Sequence, residues 1–404
     1  MEKYFDTIIL GGGAAGLFCG ASLSEYSKQN KSFLIIEKSP KTGLKLLASG
    51  SGQCNFTHGG DIRDFVNYYG PNGKKIRGIL FRYNNEMSID FFEKRGVKTV
   101  TREDGKVFPA SFSAEEIRQC LLREIEKNGG MVRCSCQALS IVQDVGYLVE
   151  TEDTTYRCKN LVIATGGKSY PKTGSDGVLL ETIEKTFTDI DVIPQRAALV
   201  PIYVEGYKYQ GLSGVSIQDA TISKGKIKGT GDLLFTHKNL SGPLILNFSR
   251  YLNQGDKFEI DYLPKGFKSG EHLKIDGEKR SIVNYLLDET GLPKAFIEGI
   301  VLEQGIDCKQ KASTLKGREI KEIEKTLRGE EFIVNGKAGF DKAMVTSGGI
   351  SLKEVSTSNL QSKKHPGLYF IGEILDVDGD TGGYNIQFAF STGYAAAQHI
   401  LQLP

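Results

Sequence analysis

Apolar positions open the chain as a short run, Ile8-Ile9-Leu10, recur at helical spacing after Gly16, and return as Phe33-Leu-Ile-Ile36. This pattern predicts a buried strand, a helix and a second buried strand. Helical periodicity then marks Ser88–Arg95 and Ser113–Ile125, where Ser113 and Glu116 read as a capping box. Short alternating strands are expected over 131–158, and Leu161–Ala164 reads as a buried strand. The character changes near 195. Residues 198–262 read as short strands between glycine turns, suggesting a small β-barrel or sandwich. Residues 270–330 are charged and helical, with Leu286, Leu287, Ile297, Ile300, Val301 and Leu302 supplying apolar faces. Leu368–Glu373 is again a strand running into a turn, and Ile386–Leu401 an amphipathic terminal helix. The expected class is α/β. One domain, in two segments (1–194 and 345–404), is interrupted by an insert at 195–344 that is β-rich over 195–265 and helical over 266–335.

The first strand ends in Gly11-Gly-Gly13-Ala14-Ala15-Gly16, and the second ends in Glu37-Lys38. This is a G-x-G-x-x-G turn in a Rossmann-like β-α-β context. Gly11 permits the tight turn, Gly13 lets a pyrophosphate approach the backbone, and Gly16 lets the helix pack closely on the sheet. The helix N-terminus offers N–H groups and partial positive charge to phosphates. Glu37 is placed to accept from a ribose 2′-hydroxyl and would repel a 2′-phosphate. The expected ligand is therefore FAD or NAD, and not NADP.

Three further glycine-rich turns follow apolar strands or open a helix: Ala164-Thr165-Gly166-Gly167, Gly372-Glu373, and Gly382-Gly383-Tyr384-Asn385. Binding at the carboxyl ends of sheet strands is the rule in such folds. Together these turns favour FAD enclosed by one domain over transient NAD, with Glu373 able to bind a sugar or ribityl hydroxyl. At the start of the last helix, Asn385, Ile386 and Gln387 would aim N–H groups at the flavin's pyrimidine edge, where reduction places negative charge.

Charge narrows the function classes. Fifty-one basic against forty-nine acidic residues leave a net charge of +2, which argues against a large nucleic-acid footprint; a basic stripe across the insert would favour one. Seven scattered cysteines without a C-x-x-C argue against a redox-active disulfide. Cys134 and Cys136 are expected on one face of a strand, and no metal site is expected. Asp376, Asp378 and Asp380 read as a solvated turn. Glu2 and Asp6 spoil a secretory leader, and no uncharged apolar run reaches the length of a membrane span. A cytoplasmic protein is expected.

The chain also resembles the bacterial HI0933-like, or aminoacetone-oxidase-like, flavoprotein family. The matching segments are Gly11–Gly16, Lys45–Asn55, Ala164–Pro171, Leu199–Pro201, Phe235–Pro243, Val345–Gly349 and Gly367–Gly393. The resemblance implies tightly bound FAD, a two-part FAD domain, and an insert with β-barrel and helical portions. Gln53 departs from the arginine usual at that position, so an ionic contact is missing there. The loop Lys45–Asn55 looks like the segment that wraps the cofactor, with Lys45 neutralising pyrophosphate, Leu46 beside it, and Asn55 at a polar edge of the ring.

The leading reading is an FAD-dependent oxidoreductase acting on a small organic substrate, of amine or enone type. Gly229-Thr-Gly231 lacks the third glycine, which argues against a dedicated nicotinamide domain. Dioxygen or transiently bound NAD(P)H is the expected second redox partner. His237 is a candidate proton carrier, with Tyr170 and Tyr384 as alternatives and Asn55 as a ring contact. The alternatives are a flavin-dependent RNA-modifying protein and a non-catalytic FAD-bound redox sensor.

Overall fold

The computed structural model describes residues 2–23, 29, 31–263, 273, 275 and 277–403. The chain forms two compact units. One contains 1–197 and 344–404, and the other contains 198–343.

The first unit is built on a seven-stranded sheet. Glu2–Leu10 lies at its centre, parallel to Phe33–Ile36 on one side and to Thr155–Ile163 on the other. Met131–Arg133 extends the sheet beyond Phe33–Ile36. Past Thr155–Ile163 the sheet divides. Gly146–Glu150 pairs antiparallel with the amino-terminal half of that strand, and Leu368–Phe370 pairs parallel with its carboxyl-terminal half. Ile8, Ile9, Leu10, Ile35, Val162, Ile163 and Phe370 are each at most 1% exposed, as strands covered on both faces require. The helices Ala14–Ser22 and Tyr384–Gln402 pack together. Their close approach depends on Gly393, where a Cβ would lie 2.8 Å from the Ala15 carbonyl.

Several local expectations change. The helix expected from Ser113 forms as Ala114–Lys127, yet Ser113 makes no side-chain cap; the Glu116 carboxylate is taken instead by the Ser111 hydroxyl. The helix expected at Ser88–Arg95 begins earlier, at Asn85, because the Asn84 side chain caps the Met87 N–H at 2.8 Å. Cys134 and Cys136 fall outside the strand Met131–Arg133. The chain breaks at Ser135, whose φ is +52°, and only Cys136 is buried.

The second unit is a closed barrel of six strands with helices attached. Five of its strands lie where glycine turns predicted them, including the hairpin Ser216–Lys224 and Ile227–Phe235. The strand that closes the barrel, Glu330–Lys337, overlaps the end of the stretch expected to be helical to 335. Its Phe332 and Val334 alternate inward, which is the strand period, while charged neighbours mask the pattern. The Glu330 carboxylate accepts from the Tyr209 and Tyr262 hydroxyls and from Lys208 at 2.7 Å. Tyr262 is fully buried, and Phe235 and Phe296 stack at 5.6 Å beside it.

Candidate functional site

The strand register gathers the candidate residues. Leu10 is paired with Ile36 and with Ile163, and Ile163 with Phe370. Four parallel strands therefore end level with one another. Gly11, Glu37, Ala164 and the Ile371-Gly372 turn all leave the same edge of the sheet, the position where α/β folds bind ligands.

The three glycines of the opening turn differ in what constrains them. Gly11 has φ +105°, and a Cβ there would meet the Ala164 carbonyl oxygen at 2.5 Å. A Cβ on Gly16 would lie 1.9 Å from the Gly11 carbonyl oxygen. Both are demanded by packing within the protein. Gly13 is not: its φ is −81°, open to any residue, and a Cβ there would find no atom within 4 Å. The helix Ala14–Ser22 starts at Gly13 without a side-chain cap, so no side chain claims its first-turn N–H groups.

Glu37 is pinned beside the turn. Its Oε2 accepts the Gly12 N–H and its Oε1 the Ser39 N–H, each at 2.8 Å. A carboxylate has about four acceptor positions, so two remain for ribose hydroxyls. An uncapped helix end, empty space at the glycine, and a fixed carboxylate fit the adenosine and pyrophosphate half of FAD. Lys38 turns away to an ion pair with Asp176 at 2.6 Å.

Lys45 and Glu373, treated separately in sequence, form one cluster. The Lys45 ammonium binds Glu373 Oε2 at 2.6 Å and also the Ser169 hydroxyl. Glu373 Oε1 accepts from the Ser169 hydroxyl at 2.8 Å and from the Thr346 N–H at 2.7 Å. The lysine charge is thus already paired with a carboxylate. Ser169 and Thr346 were not singled out from sequence, although both lie inside segments that carry the family resemblance. Leu46 is 3% exposed in the hydrophobic core, so its side chain packs against protein and is not a ligand contact. Asn55 Oδ1 accepts the Val107 N–H at 3.2 Å. Ala164 is buried at the strand end, with Thr165 and Gly166 half-buried beyond it. Gln53 is exposed. Burial pushes the Cys54 thiol up to about 12, which removes it as a nucleophile at neutral pH.

The terminal helix begins after Gly383, whose φ is +100°. A Cβ there would lie 2.4 Å from the Thr57 carbonyl oxygen, which excludes any side chain. The helix N-terminus has no side-chain cap. Asn385 folds back instead, accepting from the Gly379 N–H at 2.7 Å and donating to the Gly379 carbonyl at 2.8 Å. Ile386 is half-buried against the core. The expected role of Gln387 is corrected. Its N–H donates to Gly383 O, and its fully buried amide accepts from Thr57 and Ser88 and donates to Tyr83 O and Ser391. Every polar atom of the Gln387 side chain is spent on the protein. Tyr384 is 3% exposed, stacked between Tyr68 at 4.3 Å and His58 at 5.1 Å. Burial drives its phenol well above the usual range, so it stays protonated.

His237 belongs to the second unit. It is exposed on the turn Thr236–Asn239, which Thr236 closes by accepting from the Asn239 N–H at 3.1 Å. Asp376 accepts the Gly348 N–H at 3.0 Å, and among the described residues no group of three or more metal-ligating side chains gathers. Among those residues, too, no helix is long and apolar enough to cross a membrane.

Comparisons with known proteins extend along the whole chain. It is 35% identical over 409 residues to the ribosomal RNA dihydrouridine synthase of Haemophilus influenzae, covering 99% of each chain. It is 27% identical over 422 residues to the 3-dehydro-bile acid delta(4,6)-reductase of Clostridium scindens, covering 98% of this chain and 99% of that one. The fold is similar to that of 3-ketosteroid-delta4-(5alpha)-dehydrogenase from Rhodococcus jostii RHA1, with a TM-score of 0.53 at 14% identity over 99% of this chain and 97% of that one. A family model described as the HI0933-like protein Rossmann domain matches residues 5–399. With the glycine turn, these findings point to FAD as the cofactor. The chain belongs to the HI0933-like family and is an FAD-dependent oxidoreductase.

Proposed function

We propose that the protein reduces a carbon–carbon double bond conjugated to a carbonyl, and that its substrate is a uracil base of ribosomal RNA. The observation that carries this reading is the end-to-end match to a ribosomal RNA dihydrouridine synthase. That match covers the inserted unit as well as the dinucleotide unit, so it extends beyond cofactor binding. The bile-acid reductase, also matched end to end, is named for the same kind of bond. Uracil C5=C6 is conjugated to its C4 carbonyl, so both belong to the enone side of the expected substrate range, and neither relative is named for amine oxidation. The reading also sets aside the expectation of no nucleic-acid partner, which rested on net charge alone.

Reduction adds a hydride to one carbon and a proton to the other, and a nicotinamide dinucleotide is the reductant that balances it. FAD, when bound, relays the two electrons. In this reading Gly11–Gly16 and Glu37 hold the adenosine and pyrophosphate, and Glu373, with Lys45 and Ser169, holds the ribityl chain. The uncapped end of the terminal helix would stabilise negative charge on the ring. Tyr384 is enclosed by aromatic rings, so His237, exposed on a bonded turn, and Tyr170, also exposed, are the proposed proton carriers.

The test is expression in a bacterium lacking its own ribosomal RNA dihydrouridine synthase. Nuclease-digested ribosomal RNA is then analysed by mass spectrometry. Dihydrouridine is expected with the intact chain and not with Gly13→Val. FAD-loaded protein that leaves the RNA unmodified, yet reduces a steroid enone with NAD(P)H, would replace the RNA substrate by a small one.

A further inference from the structure

The segment Lys309–Arg328 of the inserted unit, which runs into the helix Gly317–Gly329, carries an excess of positive charge. Against a net charge of +2 for all 404 residues, the twenty residues from Lys309 to Arg328 hold seven cations and three carboxylates. The charges are sorted by face. At about 100° per residue, Arg318, Lys321 and Lys325 fall within roughly 60° of one another and span about 10 Å of helix axis. All three are exposed. On the opposite face Ile323 and Leu327 are at most 1% exposed and anchor the helix to its unit.

Two of the three acids are engaged by backbone N–H groups, while Glu322 lies about 40° from Arg318 at the edge of the stripe. Glu319 accepts the Lys316 N–H at 2.7 Å, and Glu324 accepts the Leu273 N–H at 2.6 Å. Some cations elsewhere on the unit are matched: Lys208 with Glu303 at 2.6 Å, Lys257 with Glu331 at 3.0 Å, and Lys294 with Glu298 at 3.7 Å. Arg318, Lys321 and Lys325 make no ion pair among the described residues. Lys309 and Lys311, also exposed, continue the positive surface into the preceding segment.

We propose that this face of the helix is a docking surface for the sugar–phosphate backbone of RNA. The proposal rests on the reading of ribosomal RNA as substrate. Like-charged side chains held together repel one another unless a polyanion neutralises them, and phosphates at regular spacing do so while releasing counterions. The stripe makes no base-specific contact; it holds RNA while chemistry occurs elsewhere.

The experiment uses the FAD-loaded full chain and a ribosomal RNA transcript. Binding is followed by fluorescence anisotropy across a salt series, and dihydrouridine formation by mass spectrometry. The combined variant Arg318→Gln, Lys321→Gln, Lys325→Gln is compared with wild type. A charge-matched control carries Lys257→Gln, Lys294→Gln and Lys342→Gln. Loss of three phosphate contacts should lower RNA affinity at least 10-fold at 0.1 M salt and reduce the slope of log K against log salt by about 2–3. KM for RNA should rise by a similar factor with kcat within twofold, and flavin content should be unchanged. Unaltered affinity and slope in the stripe variant, while wild type modifies RNA, would overturn the docking surface and leave the substrate reading intact. An equal loss in the control would assign the effect to net charge and also overturn it. Wild type that neither binds nor modifies ribosomal RNA would remove the substrate reading, and the stripe's role with it.

Discussion

Glu37 Oε2 accepts the Gly12 N–H at 2.8 Å, tying the end of the second strand to the middle of the glycine turn. One carboxylate thus serves the fold and, in the proposed function, the ribose. Its other oxygen holds the Ser39 N–H, so the residue bridges two loops before any ligand arrives.

Replacing Glu37 with Ala should therefore weaken two properties at once. FAD affinity should fall by about 1–3 kcal/mol for a lost charge-assisted hydrogen bond, and the apoprotein should lose roughly 1–3 kcal/mol from two donors left unmatched. Glu37→Gln keeps one acceptor oxygen and should recover part of both. FAD titration and urea unfolding of the apo forms separate the two effects. An apoprotein of unchanged stability in Glu37→Ala would show that water replaces the carboxylate at Gly12 and Ser39.

The glycines of the turn should separate binding from folding. Gly13→Val meets no protein atom and needs no unusual backbone, so the variant should fold with near wild-type stability and fail to retain FAD. Gly16→Ala places a methyl 1.9 Å from a carbonyl oxygen and should destabilise the apoprotein by several kcal/mol. Flavin absorbance after gel filtration, read beside thermal melting, distinguishes them. Full FAD retention in Gly13→Val would move the pyrophosphate site away from this turn.

Gln387 makes a different prediction from the one its position suggests. Its amide sits fully buried among Thr57, Ser88, Tyr83 and Ser391. Gln387→Leu strands the Thr57 hydroxyl and removes one of two bonds from the Ser88 hydroxyl and the Tyr83 carbonyl, and should cost about 1–3 kcal/mol of stability. The loss should be the same with and without FAD. A selective loss of FAD affinity at unchanged apo stability would return Gln387 to the cofactor site.

Alkaline pH should expose the buried thiols. Burial pushes Cys19, Cys54 and Cys158 up to about 12 from an ordinary value of 9.0. Between those values each thiol stays protonated in the native state and ionises when unfolded. Its stabilising contribution is complete below about 9 and is lost as pH rises toward 12. Each thiol contributes a slope of up to about 1.4 kcal/mol per pH unit in that window. Cys158→Ala should reduce the fall in unfolding free energy between pH 9 and pH 11, measured by urea titration. An identical slope would mean that Cys158 does not titrate differently in the two states.

Much of the cofactor unit was legible because its signals are local. A turn that needs Gly11, a helix that needs Gly16, and a strand ending in Glu37 lie within one short stretch, and each residue type is demanded by its neighbours. Signals weakened where the deciding contact was distant. Charges flank the two inward residues of the strand Glu330–Lys337 and mask its period, and only closure of the barrel selects the two-residue repeat. Ser113 has a capping side chain, but the nearby Ser111 hydroxyl takes Glu116 first.

The chain alone determined that an adenine-dinucleotide cradle exists, since strand, glycine spacing and terminal acid are sequence-local requirements of that geometry. Only the tertiary structure decided which polar side chains remain for a ligand. Gln387 and Asn385 both stand at the start of the terminal helix, and residues 57, 83, 88 and 379 claim their amides through contacts that the sequence does not display. Lys45 meets Glu373 across more than three hundred residues, so a lysine suited to phosphate is instead paired with a carboxylate. Spacing along a chain specifies which groups are present; which of them are already bonded depends on residues that only folding brings near.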